Sequence, residues 1–160
     1  MLQVKLICVG KMREKYYTDA FAEYAKRLSG YCRFVCVELA ETRLPDAPSE
    51  KEIAAALDKE GAEILKAVPA DAYLTALCVE GKALPSEAMA RLISERENSG
   101  KPKLCFVVGG SYGLSGAVKA RADLRLSMSA MTFPHHLARV MLAEQIYRGF
   151  KINEGSRYHK

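Results

Sequence analysis

Leu104-Cys105-Phe106-Val107-Val108 is a nearly continuous apolar run, and it empties into Gly109-Gly110-Ser111-Tyr112-Gly113. A strand with one face in water alternates apolar and polar residues. A run without that alternation has to be covered on both faces, as happens in a parallel sheet packed between two layers of helices. The remainder of the chain fits this requirement. Residues 2–9 alternate in strand fashion, and in residues 13–28 Tyr17, Phe21, Tyr24, Ala25 and Leu28 recur at helical spacing. A second strand is expected over 34–39, with Pro45 and Pro48 punctuating the loop after it. Ser49-Glu50-Lys51-Glu52 forms a capping box that opens a helix with Ile53, Leu57, Gly61, Ile64, Leu65 and Val68 on one stripe, closed by Pro69. Further on come a strand over 73–79, a turn at 80–82, and a helix over 86–97 with Met89, Leu92 and Ile93 inward. The glycine turn at 109–116 leads into a short helix to about 122 and a short strand over 124–127. A final helix over 134–151 has Pro134 in its first turn. Strands alternating with helices predict a three-layer α/β domain with mainly parallel pairing, and the 160 residues suffice for one domain without disulfide or metal staples.

In open α/β sheets a ligand sits outside the carboxyl ends of the strands. Three loops meet there, so residues 77–81, the turn 109–116 and residues 128–133 are the expected walls of a site. The glycines of the turn serve either positive φ or close approach of backbone to ligand. They match neither G-x-G-x-x-G nor G-x-x-x-x-G-K-[ST], so dinucleotide and triphosphate binding are unsupported. The context of Ser111 is also that of a nucleophile elbow, and Asp123 with His135 or His136 follows in hydrolase order. Short intervals and the lack of an HGGG-like oxyanion turn weigh against that reading. Neutral, partly exposed histidines are expected at 135 and 136, where helix N-H groups disfavour an imidazolium.

Of the five cysteines, Cys8, Cys78 and Cys105 lie in apolar strand-like runs and are read as reduced core thiols. Cys32 and Cys36 form a C-x3-C with no second Cys/His pair after it, so no metal is expected. No apolar run approaches the roughly 20 residues that cross a bilayer. With no signal-peptide pattern at residues 1–9, a cytoplasmic location and no membrane partner are expected. The formal net charge is +5, and in residues 121–160 seven cations face three carboxylates, leaving +4 there. Such an excess suits a polyanionic partner. The last helix has apolar residues on more than one stripe, namely Leu137, Val140 and Met141 and, further round, Leu142, Ile146 and Tyr147. It is therefore either a dimer face or a wholly buried helix. Glu144 and Arg148, four apart, form a pair of the ordinary structural kind. The tail from 152 lacks periodicity but holds Arg157, Tyr158 and His159, groups able to clamp a phosphate, stack on a base or move a proton; fraying is the alternative.

Four segments carry a resemblance: Phe106 to Leu114, Leu126 to His135, Glu144-Gln145-Ile146-Tyr147-Arg148, and Tyr158-His159-Lys160. With Val9-Gly10-Lys11 and Lys59-Glu60-Gly61 they closely resemble the RlmH family of the SPOUT superfamily, over essentially the whole chain. The resemblance implies a 23S rRNA pseudouridine N3-methyltransferase that uses S-adenosylmethionine on a stem-loop of the assembled ribosome and needs no metal. It implies a SPOUT-type sheet whose C-terminal part is threaded into a trefoil knot, an exception to the rule against knots. It also implies a homodimer packed through its C-terminal helices, each active site borrowing residues from the other subunit. The cofactor would be held by Leu77, Gly109, Met128, Ser129, Ala130, Met131, Thr132 and Phe133. Arg148, Tyr158 and His159 would place and deprotonate the base, with His159 the proton acceptor. A serine hydrolase acting through Ser111 and a non-catalytic RNA-binding module remain the competing readings.

Overall fold

The computed structural model describes residues 1–160. Its elements run β1 (Gln3–Val9), α1 (Lys15–Leu28), β2 (Arg33–Leu39), α2 (Glu50–Ala67), β3 (Tyr73–Ala83), α3 (Ser86–Glu97), β4 (Lys103–Val108), α4 (Gly116–Arg121), β5 (Leu124–Ser127) and α5 (His135–Asn153). The five strands form one sheet in the order β2-β1-β4-β3-β5, and every pairing is parallel. β4, the apolar run, pairs with a strand on each side and buries five of its six residues.

The two-residue period of the strands divides the core. Leu6, Cys8, Leu104, Phe106 and Val108 point to one face, where they pack with Leu28 of α1, Ile93 of α3, and Leu142, Ile146 and Phe150 of α5. Ile7, Val9, Cys105 and Val107 point to the other, against Ile64 of α2 and Val118 of α4. Helices thus cover both faces, as the uniform apolarity of β4 requires. The capping box at Ser49 is present, with the Ser49 hydroxyl accepting from Glu52 N at 3.1 Å and the Glu52 carboxylate accepting from Ser49 N at 3.2 Å.

α1 begins at Lys15, two residues after the expected start, and three further departures bear on the site and the packing of α5. The turn at 80–82 is absent; β3 continues to Ala83 and shifts its register against β5 between Leu77 and Lys82. Gly81 lies against the β5 backbone, and a Cβ there would sit 2.7 Å from the carbonyl carbon of Arg125, so its small size serves close packing. Pro134 is the residue before α5, with ψ at 136°, and lies outside the first turn. At its far end α5 runs two residues past the expected stop, and Asn153 Nδ2 donates to Ala90 O of α3 at 2.9 Å. Cys78, expected in the core, is half-buried, while burial pushes the thiols of Cys32 and Cys105 up to about 12.

α5 is neither wholly buried nor freely exposed: Leu142, Ala143, Ile146, Gly149 and Phe150 are buried, while Leu137, Val140 and Met141 are half-covered. Its only charged buried residue is Arg139, which is 1% exposed. Arg139 donates to Glu38 of β2 at 2.7 Å and to the carbonyl of Gly10 at 3.0 Å, and Glu38 also accepts from Met12 N at 2.9 Å. One guanidinium therefore ties α5 to the carboxyl ends of β1 and β2. Burial pushes the Glu38 carboxyl up, but the Met12 N-H and Arg139 outweigh it and hold the group below its ordinary value. With a depressed folded pKa, this contribution is present above the ordinary carboxylate range and lost as pH falls through the depressed value. Arg139→Met is expected to destabilise the fold by about 2 kcal/mol, under the cost of breaking a fully buried pair because Glu38 still reaches water. Denaturant unfolding at neutral pH checks this, and the difference between variant and parent should shrink in acid.

Candidate active site

The irregular stretch of β3 at Leu77 to Glu80 and the loops after β4 and β5 enclose an open cleft of about 740 Å³ at the carboxyl edge of the sheet, so the first expected wall is strand and not loop. Leu77, Gly109, Met128, Ser129, Met131, Thr132 and Phe133 all line it; Ala130 lies in the same loop but off the cleft wall. Ser129 organises that loop, its carbonyl accepting from the Ser127 hydroxyl at 3.1 Å and its hydroxyl accepting from Met131 N at 3.0 Å. The lining is largely apolar, with charge confined to Glu80 and Lys119, which form an ion pair, and with His135 as its one imidazole. Burial, then the neighbouring His136, lowers the pKa of His135, so the ring is neutral at neutral pH.

The glycine turn is shaped by proximity more than by φ. Gly109 has ordinary φ, yet a Cβ there would meet the Gly113 carbonyl and lie 2.7 Å from its carbon; only Gly113 in the turn has positive φ, at 86°. Behind the turn stands Glu41, just past β2, which accepts from Ser111 N at 3.1 Å and from the Ser111 hydroxyl at 3.2 Å. Sequence reasoning missed Glu41, because 70 residues separate it from Ser111 and no local pattern marks the pairing.

That geometry overturns the hydrolase reading. The Ser111 hydroxyl bonds to a carboxylate, no histidine nitrogen reaches it, and Asp123 accepts from Leu74 N at the amino end of the sheet, opposite Ser111. No triad can assemble across the sheet. Ser111→Ala is expected to loosen the turn by about 1 kcal/mol, the worth of one hydrogen bond, and to leave a fluorophosphonate probe as unreactive as before. Loss of labelling in the variant relative to a labelled parent would restore the nucleophile.

A second cleft, about 510 Å³, shares Leu126 and Met128 with the first and reaches Glu144 of α5 between Leu84, Met89, Val140 and Met141. Glu144 is the hub of a polar cluster. Arg148 Nε and Nη2 both donate to its Oε1, at 2.9 and 2.6 Å, the Tyr158 hydroxyl donates to the same oxygen at 3.1 Å, and Gln145 donates to Oε2 at 2.8 Å. His159 completes the cluster, with Nδ1 3.2 Å from Arg148 Nη1 and Nε2 3.0 Å from Glu87 of α3. The tail is thus docked, not frayed, and Arg148, Tyr158 and His159 come together. None of the three lines the larger cleft of its own chain, and Arg157 stays exposed. Burial, then the charge of Glu144, pushes the Tyr158 phenol up to about 12, so it is a hydrogen-bond donor at neutral pH. Glu87 had no signal in the sequence, lying 72 residues from its histidine.

The basic C-terminal quarter is less available than its count implied. Arg139 is buried, while Arg121, Arg148 and Lys151 are paired with Asp123, Glu144 and Glu154.

A parallel sheet whose carboxyl edge carries a cleft of small-ligand size, walled by a glycine turn, the irregular end of β3 and the loop after β5, defines an α/β protein with a small-molecule site at that edge. The family model described as "Predicted SPOUT methyltransferase" matches residues 2–159. Proteins named Ribosomal RNA large subunit methyltransferase H are 46% identical in Bacillus pumilus and 48% in Streptococcus thermophilus, each over 99% of this chain and 100% of the relative. Two solved structures share the fold at low identity. One, described as a "Probable Methyltransferase" of Bordetella pertussis, has a TM-score of 0.60 at 17% identity, over 92% of this chain and 94% of that one; the other, described as a "probable methylase family protein" of Haemophilus influenzae, has 0.54 at 14%, over 100% and 72%. The chain belongs to the RlmH family of SPOUT methyltransferases. No helix is long and apolar enough to cross a membrane.

Proposed function

We propose that this protein, acting as one domain over its whole length, transfers a methyl group from S-adenosylmethionine to N3 of a pseudouridine in a stem-loop of 23S ribosomal RNA on the assembled ribosome, in the cytoplasm. The observation that carries the reading is the meeting of two things: the cleft at the carboxyl edge of the sheet, and near-half identity along the full length to large-subunit rRNA methyltransferases. The cleft fits the donor: its volume lies in the range of small-ligand sites, its walls are apolar enough for an adenine, and the turn at Gly109 is packed so closely that the backbone itself forms the wall.

Bound there, S-adenosylmethionine supplies a methyl group on a cationic sulfur with a neutral leaving group. What the chain has to add is alignment and removal of the N3 proton. Leu77, Gly109 and the loop 128–133 hold the cofactor, with Ala130 contributing through its backbone. Arg148 and Tyr158 offer donors to the carbonyl oxygens of the base. His159 takes the proton at Nδ1 once Arg148 turns from it to the substrate, and the Glu87 carboxylate at Nε2 stabilises the imidazolium. Because these groups lie outside the cofactor cleft of their own chain, a homodimer packed through the half-covered side of α5 completes each site with the partner's cluster. The trefoil knot of the superfamily belongs to this reading, and no step in it needs a metal.

The test is transfer of tritiated methyl to ribosomes lacking the modification, with pseudouridine present or absent at the target. Label only where pseudouridine is present is expected; equal label on uridine, or on naked rRNA, contradicts the substrate assignment.

A further inference from the structure

A third cleft, about 670 Å³, opens at the carboxyl ends of β1 and β2, on the far side of the glycine turn from the cofactor cleft. The two share Ser111, Tyr112 and His135, so they are separated only by the turn and the start of α5. Unlike its neighbour it is mainly polar, and its charges are of two kinds. Each carboxylate already has a donor: Glu41 holds Ser111, Glu60 accepts from Thr42 N at 2.7 Å, and Glu14 faces His136 at 3.5 Å. Its three cations, Lys11, Arg13 and Arg43, are exposed and make no ion pair or side-chain hydrogen bond. Tyr112, half-exposed at 50%, stands at the boundary between the clefts.

Resting on the function proposed above, we propose that this cleft is the seat of the substrate RNA strand: Lys11, Arg13 and Arg43 take successive phosphates flanking the target, and Tyr112 offers its ring to a neighbouring base. Unpaired cations beside satisfied carboxylates present a positive rim that costs no internal salt bridge when phosphates arrive, and counterion release drives the association. An exposed aromatic at the end of such a rim is what single-stranded RNA uses for stacking. The position suits the chemistry, since a strand anchored here runs past the shared wall toward the methyl donor. The sequence drew attention to the C-terminal cations instead, most of which the fold consumes internally.

Ribosomes lacking the modification are the probe, with binding read by co-sedimentation without cofactor across a salt series, and methyl transfer read separately. The test variant is K11Q/R13Q/R43Q. The control, K26Q/R33Q/K101Q, removes the same charge from exposed cations at the amino end of the sheet. The test variant is expected to weaken ribosome binding by about 10- to 100-fold and to lower the slope of log affinity against log salt by about 2 to 3, with the control near the parent. Equal losses in the two variants, or an unchanged slope, overturn the proposal. Parent protein that binds ribosomes but transfers no methyl overturns the enzymatic reading alone, and the comparison of the two variants still decides the seat; parent protein that binds no ribosomes overturns both.

Discussion

Gly109→Ala is expected to lower kcat/KM for methyl transfer by on the order of 100-fold, the effect of displacing a cofactor wall by about 1 Å. The sheet should survive. The added methyl meets the Gly113 carbonyl and lies 2.7 Å from its carbon, and both partners are backbone, so no side chain can swing aside. Relief has to come from opening the turn, which also strains the Glu41 contacts to Ser111 on its far side. Overpacking of this kind costs about 1 to 3 kcal/mol of stability, a loss that leaves the protein folded. Calorimetry should show weakened binding of S-adenosylmethionine in a variant with a nearly unchanged circular dichroism spectrum. Gly116→Ala is the matched control. That glycine opens α4 with nothing within 4 Å of the added methyl, so alanine should be neutral there. Full cofactor affinity in Gly109→Ala would mean that the turn is not a wall of the donor site.

The sheet was legible because its signals are local. β4 reads as a doubly buried strand from five consecutive residues, and Ser49 with Glu52 announces α2 by a bond between neighbours. Where the reading slipped, the decisive partner was distant. Glu80-Gly81-Lys82 looks like a turn in isolation, but pairing with β5 some 45 residues on draws it into β3 as an irregular strand. The end of α5 depended likewise on Ala90 of α3.

The same division runs through the candidate site. The walls of the cleft could be found from strand ends alone, since the carboxyl edge of a parallel sheet collects whatever lies there, although the wall at Leu77 to Glu80 is irregular strand where a loop was expected. Glu41, Glu87 and the use of Arg139 as an internal tie could not, because each acts through a partner brought close only by the fold. Charge is the sharpest case. A count of basic residues treats Arg139 and Arg43 alike, whereas one is 1% exposed and bonded and the other is free at the rim of a cleft. A surface field is set by the cations left over after internal pairing, and that remainder is a property of the structure.

His159→Ala should reduce kcat by about 100- to 1000-fold while leaving cofactor affinity intact, as loss of a proton acceptor does. In the present arrangement the ring is held at both nitrogens, by Arg148 at 3.2 Å and Glu87 at 3.0 Å. The Glu87 bond directs the proton of the neutral ring to Nε2 and leaves a lone pair at Nδ1, facing the guanidinium proposed to bind the base. Tyr158 cannot substitute, because a phenol pushed up to about 12 keeps its proton at neutral pH. Tyr158→Phe therefore removes one donor, with an expected loss of about tenfold. Glu87→Gln separates an orienting role from a merely structural one. If the carboxylate stabilises the imidazolium, kcat should fall with thermal stability unchanged, since Glu87 is exposed and its bond to His159 crosses the protein surface. Single-turnover transfer to unmodified ribosomes measures all three variants. Should His159→Ala keep the parent's rate, the imide proton leaves to solvent hydroxide or a substrate phosphate, and the tail's task is reduced to holding Arg148 in place.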